Sequence, residues 1–182
     1  MDTTPVSLLE RLRQPGDGQA WSRFVDLYSP LLLTWVRRAG LQQADADDVV
    51  QDVFVILVRQ LPQFIYNPNQ RFRGWLYTVT LNKVRERARQ PEVRQNYESL
   101  PAEGVAAPLN DALIETEFRT VVIRRAFELM RTDFSPQTWQ GCWGHFMEGK
   151  TAAELGWTAG ALRAAKFRVL SRLRRELAGM LD

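Results

Sequence analysis

The stretch FRGWLYTVTLNKVRERAR, residues 72–89, decides how the rest of the chain is read. Its spacing predicts a helix, yet its tryptophan stands apart from most of its other large apolar residues. At about 100° per residue, Tyr77, Leu81, Val84 and Ala88 share one arc, with Thr80 at its edge. Trp75, Val79, Asn82 and Glu86 share the opposite arc, flanked by Thr78 and Lys83. That second arc sets a flat ring beside an amide and a cation on a strongly basic helix. Such a face either meets a partner that needs all three groups, or lets Trp75 pack against a neighbouring helix.

Helical periodicity also dominates on both sides of this stretch, and no segment shows sustained strand-like alternation. Helices are expected at 5–13, 19–28, 30–39 and 45–61, with Gly40 and Pro62 as stops. The segment FIYNPNQ carries Asn-Pro turn chemistry and leads into the 72–89 helix. QPEVRQNYESLPAEGVAAPLN then breaks the periodicity with Pro91, Pro101, Gly104 and Pro108, which marks residues 91–110 as a linker. Helices resume at 111–131 and 135–147, a short piece follows at 151–155, and a long helix closes the chain at 159–177. The expected fold is all-α: two small helical domains, 1–90 and 111–182, joined by a flexible linker.

Composition narrows the function. The 182 residues suffice for one medium domain or two small ones. No apolar run approaches the roughly 20 residues that span a bilayer, so membrane insertion is not expected. The start, MDTTPVSLLERLRQ, lacks the basic and apolar blocks of a secretion signal. Cys142 and His145 are the only residues of their types, which excludes an internal disulfide and argues against a zinc site or a Cys-His catalytic pair. A reducing, cytoplasmic setting is expected, with no metal, cofactor or enzymatic activity.

Net charge is +3, but its distribution says more. Arg71, Arg73, Lys83, Arg85, Arg87, Arg89 and Arg94 crowd one stretch, and Arg163, Lys166, Arg168, Arg172, Arg174 and Arg175 another. Such blocks fit either two contacts with a polyanion or two solvated helix faces. Within the 45–61 helix, Val50, Val53, Phe54, Leu57 and Leu61 form the expected buried stripe. Asp48, Gln51, Asp52, Val55 and Arg59 lie opposite. This is an interaction surface with an apolar centre, or a solvated face whose aspartates favour a helix N-terminus. DDVVQD also resembles the magnesium motifs of helical isoprenoid synthases, with Asp47, Asp48 and Asp52 as candidates, but no second acidic motif accompanies it.

TAAELGWTAGALRAAKFRVLSRLRREL, residues 151–177, has the order of a helix-turn-helix, with a turn at Gly156 and an N-cap at Thr158. Leu162, Val169, Leu173 and Leu177 form its buried stripe. Arg163, Ala164, Phe167, Arg168, Ser171, Arg174 and Arg175 face outward, where arginines bond bases or phosphates and Phe167 meets a thymine methyl. Lys166 falls beside the buried stripe and is expected to snorkel. Trp139, Trp143 and Phe146 recur at helical spacing, as core residues do.

In order, these segments resemble a bacterial RNA polymerase sigma factor of the extracytoplasmic-function group, over nearly the whole chain. DADDVVQDVFVIL resembles the region-two signature that docks on the polymerase clamp helices. The 72–89 helix resembles the one that melts and reads the minus-ten element, and residues 134–177 resemble region four, which reads the minus-thirty-five element. The resemblance implies a promoter-specificity factor that binds core RNA polymerase through Asp48, Gln51, Asp52 and Val55. It implies minus-ten contacts by Trp75, Thr78, Val79, Asn82, Lys83, Arg85 and Arg89, with the segment IYNPNQ shaping a pocket for a flipped base. It implies upstream contacts by Arg163, Ala164, Phe167, Arg168, Ser171 and Arg174, and an anti-sigma factor or other regulatory partner. AAELG stands where the family commonly has a run about one turn longer, and Ala161 and Ala164 replace frequent polar residues, so upstream recognition is expected to be weaker. A helix-turn-helix regulator independent of polymerase, and a sigma-like adaptor that does not open promoters, are the alternatives.

Overall fold

The computed structural model describes residues 7–64, 72–90, 111–178 and 180, and every regular element among them is helical. α1 (Leu8–Leu12) starts at a capping box: the Ser7 hydroxyl accepts from the Glu10 amide while the Glu10 carboxylate accepts from the Ser7 amide. The expected start at residue 5 lies outside the described residues.

α2 (Gly18–Arg38) is one helix where the sequence suggests two. Its N-cap Asp17 accepts from the Ala20 amide and is bound by Arg11 at 2.9 Å. Pro30 lies inside it and has no amide hydrogen to give the Asp26 carbonyl one turn earlier. Arg125 Nε donates to that oxygen at 3.0 Å, so the helix continues past a residue that normally ends it.

α3 (Gln43–Gln60) runs into a 3₁₀ turn, Leu61–Gln63, and α4 spans Phe72–Ala88. Phe24, Tyr28, Leu31 and Leu32 of α2 meet Val49, Val53 and Leu57 of α3 and Phe72, Leu76 and Val84 of α4 in one core. The Phe24 and Tyr28 rings stack at 4.5 Å, and Phe72 meets Tyr28 edge-on at 5.9 Å. The α3 stripe is as expected except that Phe54 is only half-buried and Ala46 and Val49 join it. The buried arc of α4 is wider than its sequence suggests, taking in Phe72, Arg73 and Leu76, because α2, α3 and the helix Asp111–Phe118 all pack against it.

α5 (Asp111–Phe118), a π-helical stretch (Arg119–Ile123) and α6 (Arg124–Leu129) form one rod. Ile114, Phe118, Val122, Ala126 and Met130 enter the same core as α2 and α4. Polar ties seal this contact: Trp35 Nε1 donates to Glu117 at 2.8 Å in a buried bond, and Arg38 pairs with the same carboxylate. Arg73, which the charge pattern assigned to a basic surface, is buried, pairs with Glu115 and lies over the Phe118 ring. The expected linker, 91–110, lies outside the described residues, as do Arg71 and Arg94.

α7 (Pro136–Glu148) and α8 (Ala159–Glu176) build a smaller second core from Phe127, Cys142, Ala165 and Val169. Trp139 and Trp143 cover it half-buried, their rings 5.1 Å apart. The piece expected to be helical at 151–155 is a single hydrogen-bonded turn. Thr151 and Glu154 cap its start, and Trp157 N–H to Ala152 O with Gly156 N–H to Ala153 O closes its end. Gly156 adopts the positive φ this closure needs. Leu173, Leu177 and Met180 reach back into the first core, and Arg23 of α2 binds Glu176 at 3.0 Å.

Candidate functional site

Asp48, Gln51, Asp52 and Val55 are all exposed on one face of α3. Val55 is 49% exposed, and Val58, which the expected outward arc leaves out, is 51% exposed three residues on. Together they give that face an apolar centre wider than one side chain. Their spacing was the available signal: Val58 follows Val55 at helical distance on the side away from Val53 and Leu57.

The acidic face does not stand apart from the basic helix. Asp52 lies 3.4 Å from Lys83, and Arg87 reaches Asp45 at 2.9 Å and Asp48 at 3.1 Å. Lys83 also binds Glu86 at 3.0 Å, which, followed by Asp52, holds its ammonium above the ordinary lysine pKa. The Arg87 guanidinium is likewise raised, chiefly by its bond to Asp45. Lys83 and Arg87 stand one turn apart on α4, and Asp45, Asp48 and Asp52 occupy successive turns of α3, so two complementary stripes meet along the helix seam. Neither Asp45 nor Arg87 stands out from the sequence as a site residue in its own right, although the i, i+4 spacing of the cations is visible there. Asp48 and Asp52, candidates in the magnesium reading, each lie beside a cation, and no group of three or more potential ligands suited to a metal occurs among the described residues.

On the outer side of α4, Thr78, Asn82, Arg85 and Arg89 are exposed. Trp75 lies between Phe64 and the outer face of α4. It is half-buried, packing on Phe64 at 4.7 Å and Phe72 at 5.7 Å, and the rest of it faces outward. Val79 is half-buried against the core, and Thr78 donates to the Gly74 carbonyl at 2.9 Å, leaving its oxygen able to accept. The segment expected to shape a flipped-base pocket, 65–70, lies outside the described residues.

α8 begins at Thr158, whose hydroxyl accepts from the Ala161 amide. Arg163, Ala164, Phe167, Arg168, Ser171 and Arg174 are all exposed, and Phe167 is 72% so. Lys166 is held aside as expected. Its ammonium lies 2.9 Å from His145 Nε2 and over the Phe146 ring, while His145 Nδ1 lies 2.8 Å from the Lys150 carbonyl. Both contacts are satisfied when Nδ1 carries the proton and Nε2 accepts.

The α7–α8 angle rests on two glycines. A Cβ on Gly141 would fall 2.3 Å from the Trp157 ring, and one on Gly144 would fall 2.8 Å from Leu155. The missing side chains let the single turn, expected to be short, lie directly on α7. Among the described residues no helix is long and apolar enough to cross a membrane.

Residues 24–92 match the family described as Sigma-70 region 2. The chain is 38% identical over 80 residues to RNA polymerase sigma factor CnrH of Cupriavidus metallidurans, covering 44% of this chain and 41% of that protein. It is 34% identical over 93 residues to RNA polymerase sigma factor NccH of Alcaligenes xylosoxydans xylosoxydans, covering 51% and 49% respectively. It is 25% identical over 179 residues to ECF RNA polymerase sigma factor BldN of Streptomyces coelicolor, covering 94% of this chain and 65% of that one. The matches thus span less than two thirds of each relative's length.

Proposed function

We propose that this protein, whose residues 24–92 match Sigma-70 region 2 and which is similar to RNA polymerase sigma factors of other bacteria, is a promoter-specificity factor. It docks on the clamp helices of core RNA polymerase through α3 and opens promoter DNA with α4. The observation that carries this reading is the single exposed α3 face, acidic around Val55, inside the matched segment. Asp48 and Asp52 meet cations of the clamp, Gln51 supplies an amide, and Val55 is the apolar contact that excludes water.

On α4 the half-exposed Trp75 stacks on the last paired base, where such a stack contributes about 1–3 kcal/mol. Asn82 bonds a base edge, Thr78, Lys83, Arg85 and Arg89 hold the backbone, and Val79 lines the base of the contact. On α8, Phe167 and Ala164 present apolar contacts to the major groove, and Arg163, Arg168, Ser171 and Arg174 bond bases and phosphates of the minus-thirty-five element. The protein acts in the cytoplasm, without a catalytic group or cofactor of its own, and an anti-sigma factor or similar partner holds it between signals.

The test is binding to core RNA polymerase by the native chain and by Asp48→Arg/Asp52→Arg, read together with opening of a promoter pool. Tight binding and opening by the native chain, both lost in the double variant, are expected. Binding without opening points to an adaptor. No binding by the native chain overturns the proposal.

A further inference from the structure

The α3–α4 seam joins the two surfaces that the proposed function keeps separate. Asp45, Asp48, Asp52 and Glu86 balance Lys83, Arg85, Arg87 and Arg89 one for one, so this side of the molecule presents little net field to a polyanion. The two kinds of partner are not equally accessible. The Asp48 and Asp52 side chains are 61% exposed, whereas Lys83 and Arg87 retain 19% and 29%. A second cation can therefore approach either aspartate from solvent while Lys83 and Arg87 remain drawn in beneath it.

We propose that this lattice is an exchange device, with Arg87 as its positioning residue: a basic protein surface docking on Asp48 and Asp52 displaces the hold of Asp52 on Lys83 and frees that cation for DNA phosphates. The inference rests on the reading of α3 as a polymerase-docking face and α4 as a DNA face. Its physical basis is competition for the same carboxylates. Once a partner's cations neutralise Asp48 and Asp52, the seam loses half of its negative charge, and a DNA phosphate competes for Lys83 against Glu86 alone. Arg87 also bonds Asp45, which is less exposed, so α3 and α4 stay in register while the outer two aspartates change partner. Docking thereby precedes DNA capture for an electrostatic reason, with no movement of either helix.

The test needs no polymerase, so its result is independent of whether the chain docks on one. A fluorescently labelled single-stranded oligonucleotide of mixed sequence is titrated with the full chain, and binding is followed by anisotropy over a range of salt. Asp52→Asn imitates the docked state. Asp26→Asn removes an exposed charge that has no contact with α4 and serves as the control. Asp52→Asn is expected to tighten binding roughly three-fold, the scale of an exposed ion pair, and to steepen the salt dependence by about 0.7 for the cation released. Asp26→Asn should leave both nearly unchanged. Lys83→Gln, introduced into the Asp52→Asn chain, should cancel most of that gain. Equal gains from Asp52→Asn and Asp26→Asn, a gain that survives Lys83→Gln, or no binding by any variant overturns the proposal. The polymerase-binding result decides the proposed function separately.

Discussion

Arg125 donates from Nε to the main-chain oxygen of Asp26 across 3.0 Å, taking the place of the amide hydrogen that Pro30 lacks. A side chain on α6 thus repairs the hydrogen-bond ladder of α2, ninety-nine residues away in sequence. The same rod is tied to α2 through Glu117, and the chain's last helix through Glu176. The parts of the protein on either side of the 91–110 segment are joined by polar groups that complete one another's backbones and charges.

The repair predicts a non-additive pair. Arg125→Ala should cost about 1 kcal/mol, the net worth of one hydrogen bond. In a Pro30→Ala background, where residue 30 supplies its own amide hydrogen, the same change should cost close to nothing. Urea unfolding of the four chains measures this, and equal costs in both backgrounds would refute the repair.

Two glycines in the C-terminal half should respond in opposite ways to alanine. At Gly141 the added Cβ meets the Trp157 ring at 2.3 Å, and overpacking of this kind costs typically about 1–3 kcal/mol. At Gly160, in the first turn of α8, the closest neighbour is the Thr158 hydroxyl at 4.0 Å, so alanine should be neutral or stabilising by about 0.5–1 kcal/mol. Thermal unfolding followed by tryptophan fluorescence should show the two midpoints moving apart.

Glu176 sets an acid limit on the contact between α8 and α2. Burial by itself would raise its pKa, but Arg172 and Arg23 together hold it below the ordinary value. A carboxyl lowered in the folded state contributes stability that is fully present above its unfolded pKa of about 4.3. That contribution fades as pH falls from there through the folded value. Glu176→Gln should therefore lower stability at neutral pH and flatten the pH dependence below about 4.3. A native-like acid limb in the variant would contradict this role.

Phe167 should matter to DNA and not to folding. Its ring is 72% exposed, so Phe167→Ala should leave the unfolding free energy within about 0.5 kcal/mol of native. Under the proposed function it should weaken upstream promoter binding, without altering polymerase binding. A large loss of stability would place the ring in packing instead.

The features legible in sequence were those set by one helix at a time. The outward face of α3 and that of α8 follow from the 3.6-residue period, and every α8 residue expected to face outward does so. Lys166 could be set aside for the same reason. What could not be read depended on a second element. Pro30 breaks helices by its own chemistry, and only Arg125 cancels that effect. Arg73 looks like a surface cation until Glu115 and Phe118 enclose it. Lys83 sits on the flank of an outward arc by angle, yet Asp52 turns it inward. The 151–155 turn was visible as short, but its direct seat on α7 required knowing what Gly141 and Gly144 face.

Ile114, Phe118, Val122 and Met130 fill the flank of a core whose other members all precede residue 90, save Ala126 beside them and those at the very end of the chain. A fragment truncated at the edge of the matched region, 24–92, would keep the family match and lose its wall, baring the side of Tyr28 that Phe118 covers. A nick within 91–110 is a different injury. It severs the polypeptide and leaves that wall in place, so two separate pieces would retain every reason to stay together. In this protein the covalent thread and the packed interior have different boundaries.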